Sequence, residues 1–219
     1  GLEEKINTEK TSVNSSGGIY VGKWFFPDWK AGGHGTTNVI KAIAWSVNTF
    51  YYYLGGGYGD FAGLGLDKMI EYFKIFGLGE KTGIDLLGER SGFLPSAEWK
   101  QKTFNEPWYI GDTYHLSIGQ GYLLVTPLQI SNYLSAIANN GWLNRPHLAV
   151  KTVASDGSEK LFEYQPLNRL PISEANLEIV RRGMRQTIID GSARSLGALP
   201  VEVAGKTGTA QWNSNKENH

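Results

Sequence analysis

From Thr36 onward, Val39, Ile40 and Ile43 fall on one face at helical spacing. The spacing resumes through Phe50, Tyr53 and Leu54 until Gly55-Gly56-Gly57 ends it. Between the two runs lies Trp45-Ser46-Val47-Asn48-Thr49, where helix propensity drops and Ser or Asn suits the cap of a new helix, so a break is expected there. Upstream, residues 11–35 mix glycines and aromatics (Gly17-Gly18, Trp24-Phe25-Phe26-Pro27, Gly32-Gly33-His34-Gly35), a pattern of short strands and turns.

The next helix carries Leu66, Met69, Ile70, Phe73 and Phe76 on one face, with Asp67 near its start and Gly77 as its stop. A glycine-bearing segment runs to Pro95, Ser96 caps a short helix through Lys102, and residues 103–125 are expected to be irregular. Thr126-Pro127-Leu128-Gln129 is the strongest local signal: a Thr cap, Pro at the first helical position and Gln three residues on form a capping box. That helix should bury Ile130, Leu134 and Ile137 and end near Gly141. His147 to Val153, the Asp156-Gly157 turn and Lys160 to Tyr164 predict a β-hairpin. Ser173 should cap a helix that buries Leu177, Val180, Met184 and Ile188, with Gly191 beyond its end. Val203 to Gln211 begins with alternating apolar residues and is expected to be a strand at a sheet edge. Helices dominate, strands are scattered, and no internal repeat is visible.

With 219 residues, 41% hydrophobic and 12% aromatic, the chain has ample material for a core, and disorder is not expected. Lys+Arg and Asp+Glu are both 21, which argues against a nucleic-acid binder relying on phosphate neutralisation. The absence of cysteine excludes disulfides, thiolate metal sites and cysteine nucleophiles. No apolar run approaches the ~18 residues of a membrane span, and no signal peptide opens the chain. Gly1-Leu2-Glu3-Glu4-Lys5 reads as the tail of a helix already under way, and Asn213 to His219 are polar without a strand pattern. Both ends read as cuts in something longer.

Within the last strand, Lys206, Thr207, Gly208 and Thr209 set a cation, two hydroxyls and a glycine in four consecutive positions. Alternation would turn Lys206 and Gly208 one way and Thr207 and Thr209 the other. The glycine lets a ligand come close, and the run can offer N–H groups, hydroxyls and positive charge to a carboxylate or oxyanion. A P-loop is excluded, because the glycine that motif needs five residues before Gly205 is Pro200. A Lys-Thr-Gly triplet alone is more often an edge strand with a solvated lysine, and Ser46-x-Asn48 alone is more often a helix cap.

Taken together, Ser46-x-Asn48 followed much later by Lys206-Thr207-Gly208 resembles the second and third motifs of the serine acyl-transferases that recognise D-Ala-D-Ala and penicillin. Further segments extend the likeness over nearly the whole chain: Asp28-Trp29-Lys30, Gly33-His34-Gly35, Thr82-Gly83-Ile84-Asp85-Leu86, Glu89-Arg90-Ser91-Gly92, Glu98-Trp99-Lys100-Gln101, Pro107-Trp108-Tyr109, Gly111-Asp112-Thr113 and Ile118-Gly119-Gln120-Gly121-Tyr122. The chain is similar to the penicillin-binding protein 2 family, the class B transpeptidases of cell elongation. The resemblance implies an α/β (α+β) domain of the penicillin-binding/β-lactamase type, a central antiparallel sheet flanked by helices. Residues 1–219 would be one such domain, incomplete at both ends.

The implied reaction is D,D-transpeptidation of peptidoglycan stem peptides. A serine in a Ser-x-x-Lys motif attacks the penultimate D-Ala carbonyl, and a neighbouring amine resolves the acyl-enzyme. By the same resemblance, Ser46 relays a proton between the catalytic lysine and the leaving amine, and Asn48 holds that lysine and the donor amide. Lys206 supplies positive potential and bonds Ser46. Thr207 and Thr209 receive the substrate carboxylate beside Gly208, and the Thr209 N–H forms half of the oxyanion hole. Implied partners are D-Ala-D-Ala stem peptides, β-lactams, a SEDS-type glycosyltransferase and elongation scaffold proteins. The implied location is outside the inner membrane, on a protein anchored in it, and no cofactor is expected.

Two departures matter. No lysine of this chain has serine three residues before it, so the chain alone is expected to be inactive. Some relatives bind zinc through two aspartates, a histidine and a cysteine. Asp28 and His34 match two of these positions, while Val13 and Val47 stand at the others. Two ligands make a poor zinc site, so no metal is expected, and Asp28 with His34 is expected to form a hydrogen-bonded pair. Asp112 is read as a loop-capping carboxylate, and His115 and His147 as residues without catalytic roles. The tryptophans Trp24, Trp29, Trp45, Trp99, Trp108 and Trp142 are read as core filling rather than a glycan groove. The rival from another class is a non-catalytic module that binds wall peptides or partners. Intact Ser46, Asn48 and Lys206-Thr207-Gly208 disfavour it.

Overall fold

The computed structural model describes residues 1–213 and 216–218. Four strands come first: β1 (Ser12–Ser15), β2 (Gly18–Val21), β3 (Trp24–Pro27) and β4 (Gly35–Asn38). Helices α1 (Val39–Trp45), α2 (Asn48–Gly56), α3 (Gly65–Ile75), α4 (Ala97–Phe104), α5 (Ile110–Ser117) and α6 (Pro127–Ala138) follow. Then come β5 (Trp142–Leu143), β6 (Lys151–Val153), β7 (Glu159–Leu161), β8 (Asn168–Arg169) and α7 (Glu174–Ile189). A 3-10 turn (Arg194–Ala198), β9 (Ala210–Asn213) and β10 (Lys216–Asn218) close the order. No helix among the described residues is long and apolar enough to cross a membrane.

The chain divides into two compact units, residues 1–69, 95–122 and 173–219, and residues 70–94 and 123–172. In the first, β1 pairs with β4 and β2 with β3, both antiparallel. Asn38 starts α1 by accepting from the Lys41 N–H at 3.0 Å. The helix lays Val39, Ala42 and Ile43 into a core with Val13, Val47 and Phe50, against Val180 and Met184 of α7. Each of the valine, isoleucine and phenylalanine side chains stabilises the fold by roughly 1.5–3 kcal/mol on burial. Gly183 makes the close approach possible, since a Cβ there would lie 2.7 Å from Ile43 Cδ1. A second cluster joins Ile19, Phe26, Tyr52 and Tyr114, and so docks α5 on α2 and the β2–β3 hairpin.

In the second unit the capping box of α6 does double duty. Gln129 Oε1 accepts from the Thr126 N–H at 2.8 Å, while its Nε2 donates to the carbonyls of Glu80 and Ser91 at 2.7 and 2.8 Å. Satisfying those groups turns the helix so that Gln129, Asn132, Ala136 and Ile137 are buried. Ile130, expected inside, is 37% exposed. The β6–β7 hairpin forms around the Asp156-Gly157 turn as its sequence predicts, with all its residues on the surface.

Three other expectations fail. Residues 103–125 hold a full helix, α5, whose start is secured by Asp112 accepting from the Tyr109 N–H at 2.8 Å. A carboxylate at the third helical position replaces the usual Ser or Thr cap, so the common signal is missing. The expected α/β class, antiparallel pairing flanked by helices, stands, with the pairing spread over five two-stranded sheets among the described residues. Residues 203–209, read as a strand, have no ladder partner there. They run extended beside α7, tied by the Gly205 N–H to the Met184 carbonyl at 3.1 Å and by Arg185 to the Val203 carbonyl at 2.9 Å. The polar stretch from Asn213 does include strand backbone, because β10 pairs with β9. Ser214, Asn215 and His219 lie outside the described residues.

Candidate active site

The break between α1 and α2 is built by two helix ends. Ser46 terminates α1 in the left-handed conformation (φ 54°, ψ 49°), and the Val47 N–H reaches back to the Ala42 carbonyl at 3.1 Å. Glycine usually holds such a position, and a serine there costs roughly 1–2 kcal/mol, which the surroundings offset. Trp29 Nε1 donates to the carbonyls of Trp45 and Ser46 at 3.0 and 3.1 Å, satisfying acceptors that a helix end leaves open. The cap of α2 is Val47, which has no capping side chain, so neither Ser46 nor Asn48 caps the new helix. Asp28 caps it from another segment. Its Oδ2 accepts from the Thr49 N–H at 3.0 Å, from Thr49 Oγ1 at 2.7 Å and from Ser15 Oγ at 3.2 Å. Its Oδ1 accepts from the Trp29 N–H at 2.9 Å.

His34 is not hydrogen-bonded to Asp28, contrary to expectation. Its Nε2 lies 3.7 Å from Asp28 Oδ1 and is buried without a hydrogen-bond partner. Burial pushes the imidazole pKa down, which favours the neutral ring. The pair does not fit a zinc site. Asp28 already accepts four hydrogen bonds, Val13 and Val47 are part of the apolar core, and no group of three or more potential ligands occurs among the described residues.

Lys206 arrives at this break from 160 residues away, and its Nζ donates to Ser46 Oγ at 2.7 Å. It also donates to the Thr207 carbonyl at 2.8 Å. Desolvation lowers the Lys206 pKa to about 8 while the side chain still reaches solvent. Thr207 Oγ1 lies 2.8 Å from Ser192 Oγ, whose own place is fixed by the Ala44 carbonyl of α1. The Thr209 carbonyl accepts from Gln120 Nε2 at 3.2 Å. In front of Gly208 the space is open: a Cβ would meet nothing within 4 Å. Asn48 opens α2 directly after Val47.

Ser46, Lys206 and Thr207 are therefore joined in one bonded cluster, with Gly208 and Thr209 following in sequence. Because Ser46 Oγ accepts from an ammonium, its own proton is free to be donated elsewhere. The Thr207 and Thr209 hydroxyls and the cation beside them suit an anionic ligand. Pattern reasoning missed Trp29, Ser192 and Gln120 as members of the site. Gln120 sits between Gly119 and Gly121, both at positive φ (74° and 76°), and that glycine pair was the one available hint. The side candidates are otherwise engaged: Asp112 bonds Lys100 Nζ at 2.6 Å, and His147 stacks on Tyr164.

The family model for the penicillin binding protein transpeptidase domain matches residues 1–219. A Haemophilus influenzae relative, the peptidoglycan D,D-transpeptidase MrdA, is 38% identical over 198 residues, covering 88% of this chain and 29% of that protein. The chain thus spans under a third of the length of the curated relatives it matches. Pseudomonas aeruginosa PBP2, solved in complex with WCK 5153, superposes with a TM-score of 0.82 at 32% identity, over 99% of this chain and 48% of that one. Helicobacter pylori PBP2, solved with MreC, gives a TM-score of 0.79 at 35% identity, over 96% and 39%.

Proposed function

The chain belongs to the penicillin-binding protein transpeptidase family, and from that premise we propose that the protein carrying it is a serine-type peptidoglycan D,D-transpeptidase of the elongation class. Residues 1–219 are assigned to its single transpeptidase domain. The observation that carries the reading is the 2.7 Å bond from Lys206 Nζ to Ser46 Oγ, which joins two motifs far apart in sequence.

The nucleophile is a serine of a Ser-x-x-Lys motif in the intact protein, since no such motif occurs in these 219 residues. It attacks the penultimate D-Ala carbonyl of a stem peptide. Ser46, with Lys206 donating to its oxygen, hands its own proton to the departing D-Ala amine and regains one from the attacking motif's lysine. Asn48 holds that lysine and the donor amide. The Lys206 ammonium draws the terminal carboxylate in, Thr207 and Thr209 donate to it, Gly208 leaves room for the peptide backbone, and the Thr209 N–H faces the developing oxyanion. An amine from a neighbouring stem peptide then takes the acyl group. β-Lactams acylate the same serine.

As a member of the elongation class, the domain works outside the inner membrane on an anchored protein, beside a SEDS-type glycosyltransferase and elongation scaffolds. The MreC complex of the Helicobacter pylori relative supports the scaffold contact. Labelling with a fluorescent penicillin tests the reading. The intact protein should be labelled at the serine of its Ser-x-x-Lys motif, and Lys206→Ala should slow the labelling sharply. An unlabelled intact protein would refute the reaction. Covalent labelling of the 219-residue chain alone would refute the placement of the nucleophile.

A further inference from the structure

Ser192 follows Gly191 just beyond the end of α7 and is anchored twice to one atom. Its N–H donates to the Ala44 carbonyl at 2.9 Å and its hydroxyl donates to the same oxygen at 3.1 Å. Gly191 allows this approach, because a Cβ there would lie 2.4 Å from the Ala44 oxygen and 2.6 Å from Thr187 Cα. The Ser192 hydroxyl also lies 2.8 Å from Thr207 Oγ1, and either oxygen can be the donor.

Each hydroxyl has one proton to give. When the Ser192 proton points at the Ala44 carbonyl, the bond to Thr207 must use the Thr207 proton, and Thr207 has nothing left for a ligand. If both hydroxyls turn, Ser192 donates to Thr207 and Thr207 donates into the cleft. The Ala44 carbonyl is not orphaned by the turn, since it keeps the Ser192 N–H. A chain of two aligned hydroxyls ending on a carboxylate is charge-assisted and mutually polarised.

We propose that Ser192 is a positioning residue that sets the Thr207 hydroxyl as a hydrogen-bond donor when a carboxylate occupies the cleft, by this paired rotation. The inference rests on the reading of Thr207 as a carboxylate-binding residue. No proton changes owner. A neutral ligand offers no strong acceptor to pull the pair over, so the device selects for a terminal carboxylate.

The test compares acylation of the full-length protein by a penicillin and by its methyl ester. Ser192→Ala should slow acylation by the acid roughly tenfold more than acylation by the ester, and Ser192→Thr should restore the acid rate. Thr207→Val should give the same selective loss, and the double variant should lose no more than either alone. Ser192→Cys keeps the volume with a weak donor and reads the same ratio if Ser192→Ala does not fold. Equal losses on acid and ester, or an unchanged ratio in Ser192→Ala and Ser192→Cys alike, would overturn the positioning role. A selective loss in Ser192→Ala without one in Thr207→Val would overturn the relay. An unchanged ratio in Thr207→Val with Ser192 variants also silent would instead remove the carboxylate reading itself.

Discussion

The Ser46 turn and the Lys206 run meet through one hydrogen bond and are held in opposite ways. The turn is over-determined: two helix ends, a buried carboxylate and an indole N–H all fix its backbone. The run has no strand partner among the described residues and is tied by two bonds to α7 and by side chains at its far end. The difference follows from what each must do. Ser46 has to stand still in a costly conformation, so its neighbours share the cost. Lys206 to Thr209 have to meet a ligand, so their hydroxyls and N–H groups cannot all be spent on the fold.

Removing the cation tests the ligand-facing side and should have the largest effect. Lys206→Ala should slow penicillin acylation about 10²–10³-fold with little change in the unfolding midpoint, because the side chain is exposed. The lowered pKa adds a sign. The ammonium present below about 8 is lost above it, so acylation should fall as pH rises through about 8. Lys206→Arg should be slower at neutral pH yet flat through that range. A flat wild-type profile, or the same alkaline limb in the arginine variant, would detach the rate from Lys206. Stability moves the other way: the unfolded chain holds this proton more tightly, so the contribution of Lys206 improves from about pH 8 toward the ordinary lysine range.

The supporting side should respond in stability first. Asp28→Asn keeps the shape but leaves one oxygen where two accepted four bonds, so a buried donor loses its partner. The expected cost is about 2 kcal/mol, or roughly 4–8 °C in the unfolding midpoint, with slower acylation as the start of α2 loosens. If the midpoint holds while acylation falls, Asp28 belongs with the ligand-facing groups and the contrast between turn and run fails.

The same contrast explains what the sequence made legible. The turn announced itself because helical periodicity stopped at Trp45 and restarted by Phe50, and local propensity decides that. What fills the turn was not legible: Asp28 and Trp29 reach it through tertiary contact, and His34 was paired with Asp28 because both match ligand positions of zinc-binding relatives. Lys206 to Thr209 were legible as chemistry but not as structure. The alternating apolar residues from Val203 and the glycines fit a strand, yet strand pairing depends on a partner that no local pattern supplies. Ile130 shows the same limit, since Gln129 turned its helix through bonds to two distant carbonyls. α5 was hidden because its cap is a carboxylate inside the helix rather than a Ser or Thr before it.

Trp29 gives the finest probe of redundancy. Its indole N–H is shared between two carbonyls, and the ring is 53% exposed, so Trp29→Phe removes one donor with little loss of packing. Open carbonyls at a helix end beside solvent can bond water instead, which limits the stability loss to about 1 kcal/mol. If the turn is over-determined, Asp28 and the left-handed end of α1 should keep Ser46 in place, and acylation should fall only a few-fold. A loss comparable to that of Lys206→Ala would show that a single indole holds Ser46, and the turn would then be as singly supported as the run it faces.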